Sequence, residues 1–175
     1  MSRTVSNIST GLIKGLLWPL KRQRQDIAAA IISQNLIPHP VVGTPFGSIQ
    51  FHCPNKEALE YPRDLLTREA DTIEWISGFS NGEVFWDIGA NVGAYSLFAA
   101  LVTKAPVLAF EPSAQTFSLM VKNVELNSLG DVVWPVCIAL SDRTVLDFLN
   151  MPHTYASSVF NVFGGEIDSL GNEMD

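Results

Sequence analysis

Along the first twenty residues the apolar side chains Leu12, Ile13, Leu16, Leu17 and Leu20 recur at the three-and-four spacing of one helix face. This predicts an amphipathic helix over residues 11–20, which Pro19 breaks or kinks near its end. Residues 26–36 form a second helical candidate, stopped by Pro38 and Pro40. Over residues 41–51 the pattern becomes an alternation of apolar residues with turn formers, the mark of a short hairpin acting as a lid or a small preceding sheet. From Pro62 the helical period returns in Leu65, Leu66, Ala70, Ile73, Trp75 and Ile76, predicting a helix that ends before Gly78 with Asp71 and Glu74 outward.

Beyond Gly82 short apolar runs alternate with helical stretches. Residues 84–88, 107–110 and 132–140 read as strands, and residues 95–103 and 116–126 as the helices between them. Strand, helix, strand, helix, strand predicts a right-handed, mostly parallel α/β sheet whose strands are buried on both faces by crossover helices. Residues 145–149 offer one more possible strand before a Ser/Asn/Gly-rich tail. The expected organisation is an N-terminal helical segment over 1–38, a hairpin and lead-in helix over 39–80, and the α/β domain over 81–175.

A length of 175 residues allows one domain and an appendage, and 47% hydrophobic against 17% charged residues supplies a core. A net charge of −7 repels a phosphate backbone, and the only basic cluster, Lys21, Arg22 and Arg24, is too small to overcome that. Nucleic acid is therefore not an expected partner. The same cluster beside the apolar stripe allows two readings of residues 11–24: a helix packed on protein, or a weak peripheral contact with a membrane. No apolar run reaches the length of a membrane span, and the positive charges follow the apolar stretch, whereas a secretory signal carries them before it. Cys53 and Cys137 form no metal or disulfide pattern, nor do His39, His52 and His153, so a cytoplasmic protein without a metal site is expected.

The chemistry is concentrated in Asp87-Ile88-Gly89-Ala90-Asn91-Val92-Gly93, at the junction of the first strand and the first crossover helix. Ligands of open α/β sheets bind beyond the carboxyl ends of the strands. There Gly89 and Gly93 allow a tight turn and a close approach, and free amides at the helix start point at the ligand. A dinucleotide loop places glycines where Asn91 and Ala94 stand, and a Walker loop needs a Gly-Lys-Ser/Thr that is missing. Asp87 disfavours a phosphate and suits a cationic group. Glu111 ends the second strand 22 positions after Gly89, near the offset at which an acid accepts hydrogen bonds from ribose hydroxyls. A ribose contact combined with a cationic, phosphate-free tail points to S-adenosylmethionine over NAD. Ser141 or Asp142, after the third strand, is placed to meet the adenine amino group.

Residues 84–96, Ala-Phe-Glu-Pro-Ser at 109–113, Asn123, Asn127 and Ile-Ala-Leu-Ser-Asp at 138–142 together resemble the FkbM-type class I methyltransferases. Residues 65–76 are similar to the lead-in helix of some members, and the resemblance covers about residues 40–165. It implies a Rossmann-like methyltransferase fold, S-adenosylmethionine as donor, and a hydroxyl on a sugar, polyketide or similar metabolite as acceptor. Carried over position by position, Asp87, Gly89, Ala90, Asn91 and Gly93 line the methionine side, Glu111 holds the ribose, and Ser141 or Asp142 sits near the adenine.

The family pattern continues into a fourth strand with a Lys-x-Asp-x-Glu-Gly type segment and three further strands, none of which occurs before Asp175. The expectation is thus a fold lacking its C-terminal strands and most of the acceptor side, with an unpaired apolar edge beside the first strand, read as a fragment of a longer frame rather than a natural truncation. Asp142, His153 and Glu166 are titratable and follow the third strand, but their spacing selects no catalytic base. The leading expectation is O-methylation of a small metabolite or glycan. Its rivals are an NAD-dependent oxidoreductase and a non-catalytic binding module.

Overall fold

The computed structural model describes residues 2–159 and 161–165; Glu166 and Gly171 of the tail lie outside them. The chain divides into two compact units, Met1–Ile37 and Pro38–Asp175. The first is a pair of helices, α1 (Ser2–Leu17) and α2 (Arg22–Asn35). Helix α1 stops two residues before Pro19, whose ring cannot continue a helix. No described helix is long and apolar enough to cross a membrane.

The second unit opens with the hairpin β1 (Val41–Thr44) and β2 (Gly47–Gln50), paired antiparallel with Thr44 opposite Gly47. Thr44 Oγ1 closes the turn, donating to the Gly47 carbonyl at 2.7 Å and accepting from the Phe46 amide at 3.2 Å. This hairpin packs as a small sheet on the domain and not as a lid over it, because Ile49 and Phe51 are fully buried in the core and the Asn123 and Asn127 side chains bind the backbone at Gln50 and His52.

The lead-in helix is interrupted. It forms α3 (Glu60–Asp64) and α4 (Ala70–Ser77), separated by a turn in which the Asp64 carbonyl accepts from the Thr67 and Arg68 amides, at 2.9 and 2.8 Å. The Asp64 carboxylate binds Arg68 Nε at 2.9 Å, which fixes that turn. Asp71 and Glu74 point to solvent and Ile76 into the core, as the periodicity predicts, whereas Trp75, counted with the apolar face, is exposed and stacks edge-on against Phe79.

Then come β3 (Phe85–Ile88), α5 (Ala94–Thr103), β4 (Val107–Phe110), α6 (Ala114–Leu126) and β5 (Val133–Val136). The three strands form a parallel sheet in the order β3-β4-β5, a Rossmann-like βαβαβ arrangement. Strand β5 ends four residues earlier than the apolar run suggests. Its last ladder bond runs from the Glu111 amide to the Val136 carbonyl at 3.0 Å, and the next amide on that side of β4, that of Ser113, is turned to the Glu111 carboxylate at 2.8 Å instead.

The register places Phe85, Val107 and Val133 in one row and Asp87, Ala109 and Pro135 in another, on the face where Leu97, Phe98, Leu119 and Met120 of α5 and α6 are buried. The opposite rows are Trp86, Leu108 and Trp134, then Ile88, Phe110 and Val136. On this side Trp86 is 58% exposed, Ile88 65% and Trp134 48%, so the expected burial on both faces does not hold among the described residues. The cause is topological: two right-handed crossovers in the same direction put both helices on one face. Strand β3 is the edge of the sheet, as expected.

The possible strand over 145–149 is also corrected. Only its last residue enters a strand, β6 (Leu149–Asn150), which pairs antiparallel with β7 (Val162–Phe163). The stretch before it holds exposed apolar residues such as Leu146 and Phe148, and an isolated apolar run without a paired neighbour does not make a strand.

Candidate functional site

After Ile88 the backbone turns through Gly89 at φ +80°, Asn91 at φ +49° and Gly93 at φ +80°, and α5 starts at Ala94. The two glycines serve different ends. A Cβ on Gly89 would meet nothing within 4 Å, so that residue supplies the left-handed turn beside open space. A Cβ on Gly93 would lie 2.9 Å from Met120 Cγ, so Gly93 is required for helix packing and not for approach to a ligand.

Four amides of the loop, all before the first residue of α5, are already taken within the chain. Gly89 and Ala90 both donate to the Phe110 carbonyl at 2.9 Å, and Gly93 donates to the Ala90 carbonyl at 2.8 Å. The Asn91 amide donates to Glu111 Oε2 at 3.0 Å. The loop hooks over the end of β4 because the neighbouring strand presents a terminal carbonyl and a carboxylate at the same height, and buried amides take such partners.

Glu111 is buried, with Oε1 accepting from the Ser113 amide at 2.8 Å. Burial pushes its carboxyl above the ordinary value; the Ser113 and Asn91 amides pull it back, and the nearby Asp87 charge pushes it up. Ser113 in turn caps α6, accepting from the Thr116 amide.

Asp87 shares the helix-covered face with Phe85, and its Oδ2 accepts from Ser96 Oγ at 2.5 Å. Burial raises its carboxyl, opposed by hydrogen bonds from the Ser96 side chain and amide. The aspartate thus ties the strand end to the first turn of α5, beneath the loop.

A segment after β6 lies on the loop. Asn91 Nδ2 donates to the Ser158 carbonyl at 3.1 Å, Asn55 Nδ2 to the Ala156 carbonyl at 2.9 Å, and the Ser157 amide to Thr116 Oγ1 at 3.1 Å. Between segment and loop is a cavity of about 210 Å³ whose wall includes Gly89, Asn91, Glu111, Pro112, Ser158 and Asn161. Among the described residues no basic side chain lines it. Two buried amide oxygens on this wall, Asn91 Oδ1 and Asn161 Oδ1, have no hydrogen-bond donor among the described residues.

Gly89, Pro112 and Asn161 are shared with a second, apolar cavity of about 210 Å³ bounded by Ile88, Phe110, Ile138 and Leu140. From Pro112, Ile138 and Leu140 a wider space of about 610 Å³ extends past Ser141 and Asp142. The three make one groove across the carboxyl ends of β3, β4 and β5. It begins with uncompensated oxygens and becomes apolar, the sequence of surfaces that a ribose and a flat base require.

Of the residues marked in the sequence, the structure gathers Gly89, Ala90, Asn91, Gly93 and Glu111 around the first turn, with Asp87 below it. Ser141 and Asp142 lie at the other end of the groove, exposed, with Ser141 Oγ donating to Asp142 Oδ1 at 3.1 Å. His153 is exposed and stacks on Tyr155. Ser158 and Asn161 went unmarked: they sit in a low-periodicity tail, and nothing in the sequence signals that the tail returns to the loop. His39 and His52 went unmarked as a pair, although His39 Nε2 lies 2.9 Å from His52 Nδ1. Among the described residues there is no cluster of three or more potential metal ligands.

No family model and no curated protein matches the chain. Among solved structures it is similar to the precorrin-6y C5,15-methyltransferase of Geobacter metallireducens GS-15, at 23% identity over 39% of this chain and 36% of that one, with a TM-score of 0.36. The METTL16 MTase domain aligns at 23% identity over 54% of this chain and 36% of its own, with a TM-score of 0.34. TYW2 of P. horikoshii, in complex with MeSAdo, aligns at 16% identity over 70% of this chain and 61% of its own, with a TM-score of 0.33. The chain therefore spans about a third of the first two structures.

Proposed function

We propose that this chain carries the donor-binding part of an S-adenosylmethionine-dependent methyltransferase, of the FkbM type, acting on a hydroxyl of a sugar, glycan or small metabolite. The observation that carries the reading is the Glu111–Asn91 junction. A buried carboxylate at the end of β4 holds the turn of a glycine loop, on a cavity that among the described residues has two unpaired amide oxygens and no basic side chain. Such a wall suits a ligand that brings donors. It does not suit a pyrophosphate, which is why the dinucleotide-oxidoreductase reading is second.

In this reading the oxygens of Glu111 and Asn161 accept from ribose hydroxyls and the apolar middle of the groove takes the base, with Ser141 or Asp142 near its amino group. Gly89, Ala90 and Asn91 flank the methionine part, Gly93 sets the helix behind them, and Asp87 adds negative charge beneath a cationic moiety. When bound, S-adenosylmethionine supplies a methyl group on a positively charged sulfur. The chain's contribution is to hold donor and acceptor in line and keep water out. Asp142, on the groove, is the titratable side chain nearest in sequence to the adenine end, and no base is assigned. The free thiols, Cys53 buried and Cys137 exposed, suit a reducing, cytoplasmic setting.

Calorimetric titration with S-adenosylhomocysteine and with NAD tests the donor. Binding of the first and not the second is expected. The reverse moves the chain to the oxidoreductases, and binding of neither leaves a non-catalytic module. Transfer of labelled methyl groups to a panel of sugar and polyketide hydroxyls then tests the acceptor.

A further inference from the structure

The helical pair of the first unit carries a surface that the proposed chemistry does not use. On α1, Val5, Ile8, Leu12 and Leu16 fall on one side of the helix, at steps of three, four and four residues, and are 60%, 60%, 65% and 80% exposed. Ile13 and Leu17, on another side, are half-buried. The helix therefore has two apolar sides, one packed and one bare. Trp18, in the turn just after α1, is 81% exposed. Its indole, with an apolar body and one N–H, is the side chain most at home at a boundary between water and lipid.

Charge separates in the same place. Residues 2–37 hold Arg3, Lys14, Lys21, Arg22 and Arg24 against the single acid Asp26, a net +4. Since the whole chain is −7, residues 38–175 carry −11. Lys21, Arg22 and Arg24 lie three to six residues after Trp18 and are exposed, at the point where α1 gives way to α2. A bare aliphatic stripe on a helix that is followed by an exposed tryptophan and a knot of cations matches a surface that is apolar just below a layer of negative charge.

We infer that the α1–α2 unit binds the surface of an anionic lipid membrane. The stripe enters the acyl boundary, Trp18 lies at the headgroups, and Lys21, Arg22 and Arg24 pair with lipid phosphates and carboxylates. With 16 residues and exposed Ser and Thr side chains on its remaining sides, α1 lies along the surface and does not cross. Charge complementarity selects the occupant. The bare stripe alone would accept any apolar partner, whereas the cations beside it favour a dense negative layer over a neutral protein groove.

The test uses the full chain, sedimented with vesicles of phosphatidylcholine alone or mixed with phosphatidylserine, while the emission of Trp18 is followed against a Trp18→Phe control. Binding to the mixed vesicles with a blue shift, weakened at least tenfold without phosphatidylserine, is expected, because each of three basic residues contributes roughly fivefold near such a surface. Raised salt and the triple change Lys21→Gln, Arg22→Gln and Arg24→Gln should produce a similar loss. Leu12→Glu with Leu16→Glu should abolish binding and leave the melting of the acidic unit unchanged, since both positions are exposed. Binding that ignores phosphatidylserine and salt overturns the inference, and so does failure to bind either vesicle. Self-association without vesicles, lost in the Leu12/Leu16 variant, overturns it in favour of contact between copies.

Discussion

Glu111 holds Asn91 by its backbone and not by its side chain: the Asn91 amide donates to Oε2 at 3.0 Å, while the Asn91 Nδ2 is turned away to the Ser158 carbonyl. A left-handed asparagine, costly in isolation, is kept in place by a carboxylate on the next strand. The glycine loop is therefore preformed by the chain itself, before any ligand arrives.

Replacing Glu111 should consequently destabilise the fold as well as weaken ligand binding. Glu111→Ala leaves the Asn91 and Ser113 amides without their partner, and an unsatisfied buried donor costs about 1–3 kcal/mol. Glu111→Gln keeps one acceptor oxygen and should lose about half as much. Urea unfolding of the two variants measures this, and an alanine variant as stable as wild type would refute the role.

The pH dependence has a defined sign. Asp87 and Glu111 are both held above the ordinary carboxyl values of 3.8 and 4.5, burial being the first cause in each. The folded chain thus keeps these protons more readily than the unfolded one. The associated stability is present below the ordinary values and is lost as pH rises through the raised folded ones. Compared with an Asp87→Asn, Glu111→Gln double variant, the wild-type unfolding free energy should fall over the interval upward from about pH 4. A parallel pair of pH profiles would count against raised carboxyls.

Gly89 and Gly93 have the same φ of +80° and should respond differently to alanine. Gly89→Ala meets only the left-handed strain, about 1–2 kcal/mol. Gly93→Ala adds a contact of 2.9 Å with the buried Met120, and forcing a methyl group into packed space costs about 1–3 kcal/mol more. Thermal melts should rank Gly93→Ala well below Gly89→Ala; equal shifts would mean that Met120 yields freely.

The βαβαβ arrangement was legible because its apolar runs, its glycine turn and Glu111 at the next strand end are local signals with a fixed spacing. What was not legible depends on partners distant in sequence. The Gly89 and Ala90 amides look free until the Phe110 carbonyl is brought beside them, and a strand looks as long as its apolar run until the Ser113 amide of its neighbour turns from the ladder to the Glu111 carboxylate. Sheet faces look buried until both crossovers fall on one side. Ser158 and Asn161 were hidden for the same reason, since a return of 67 residues from Ser158 to Asn91 leaves no periodic trace.

Asn123 and Asn127, noticed only as part of a resemblance, turn out to join the hairpin to the domain. Asn123 Oδ1 accepts from the His52 amide at 2.7 Å and its Nδ2 donates to the Val92 carbonyl at 2.8 Å, so one buried side chain connects the hairpin exit to the glycine loop. Asn127 does the same for the Gln50 amide and carbonyl, at 2.8 and 2.7 Å. Asn123→Ala strands a buried donor and a buried acceptor and should cost about 2–4 kcal/mol; the half-buried Asn127→Ala should cost about 1–2 kcal/mol. Hydrogen exchange at the His52 amide should accelerate in the first variant. An unchanged rate would show that another group holds the hairpin.

Asn161 separates a structural from a ligand-binding role most directly. Its buried Oδ1 has no donor among the described residues, so Asn161→Ala removes an uncompensated oxygen and should leave the free protein as stable or slightly more stable. In the presence of S-adenosylhomocysteine the same oxygen is expected to accept from a ribose hydroxyl, and its loss should weaken binding about tenfold. Methylthioadenosine, which keeps the ribose and lacks the amino-acid tail, should suffer an equal loss, and Asn161→Asp, which retains an acceptor, should recover most of it. A loss confined to S-adenosylhomocysteine would place Asn161 at the amino-acid end instead. Wild-type binding of neither ligand would remove the cofactor reading itself, whereas normal binding by Asn161→Ala would remove only this contact.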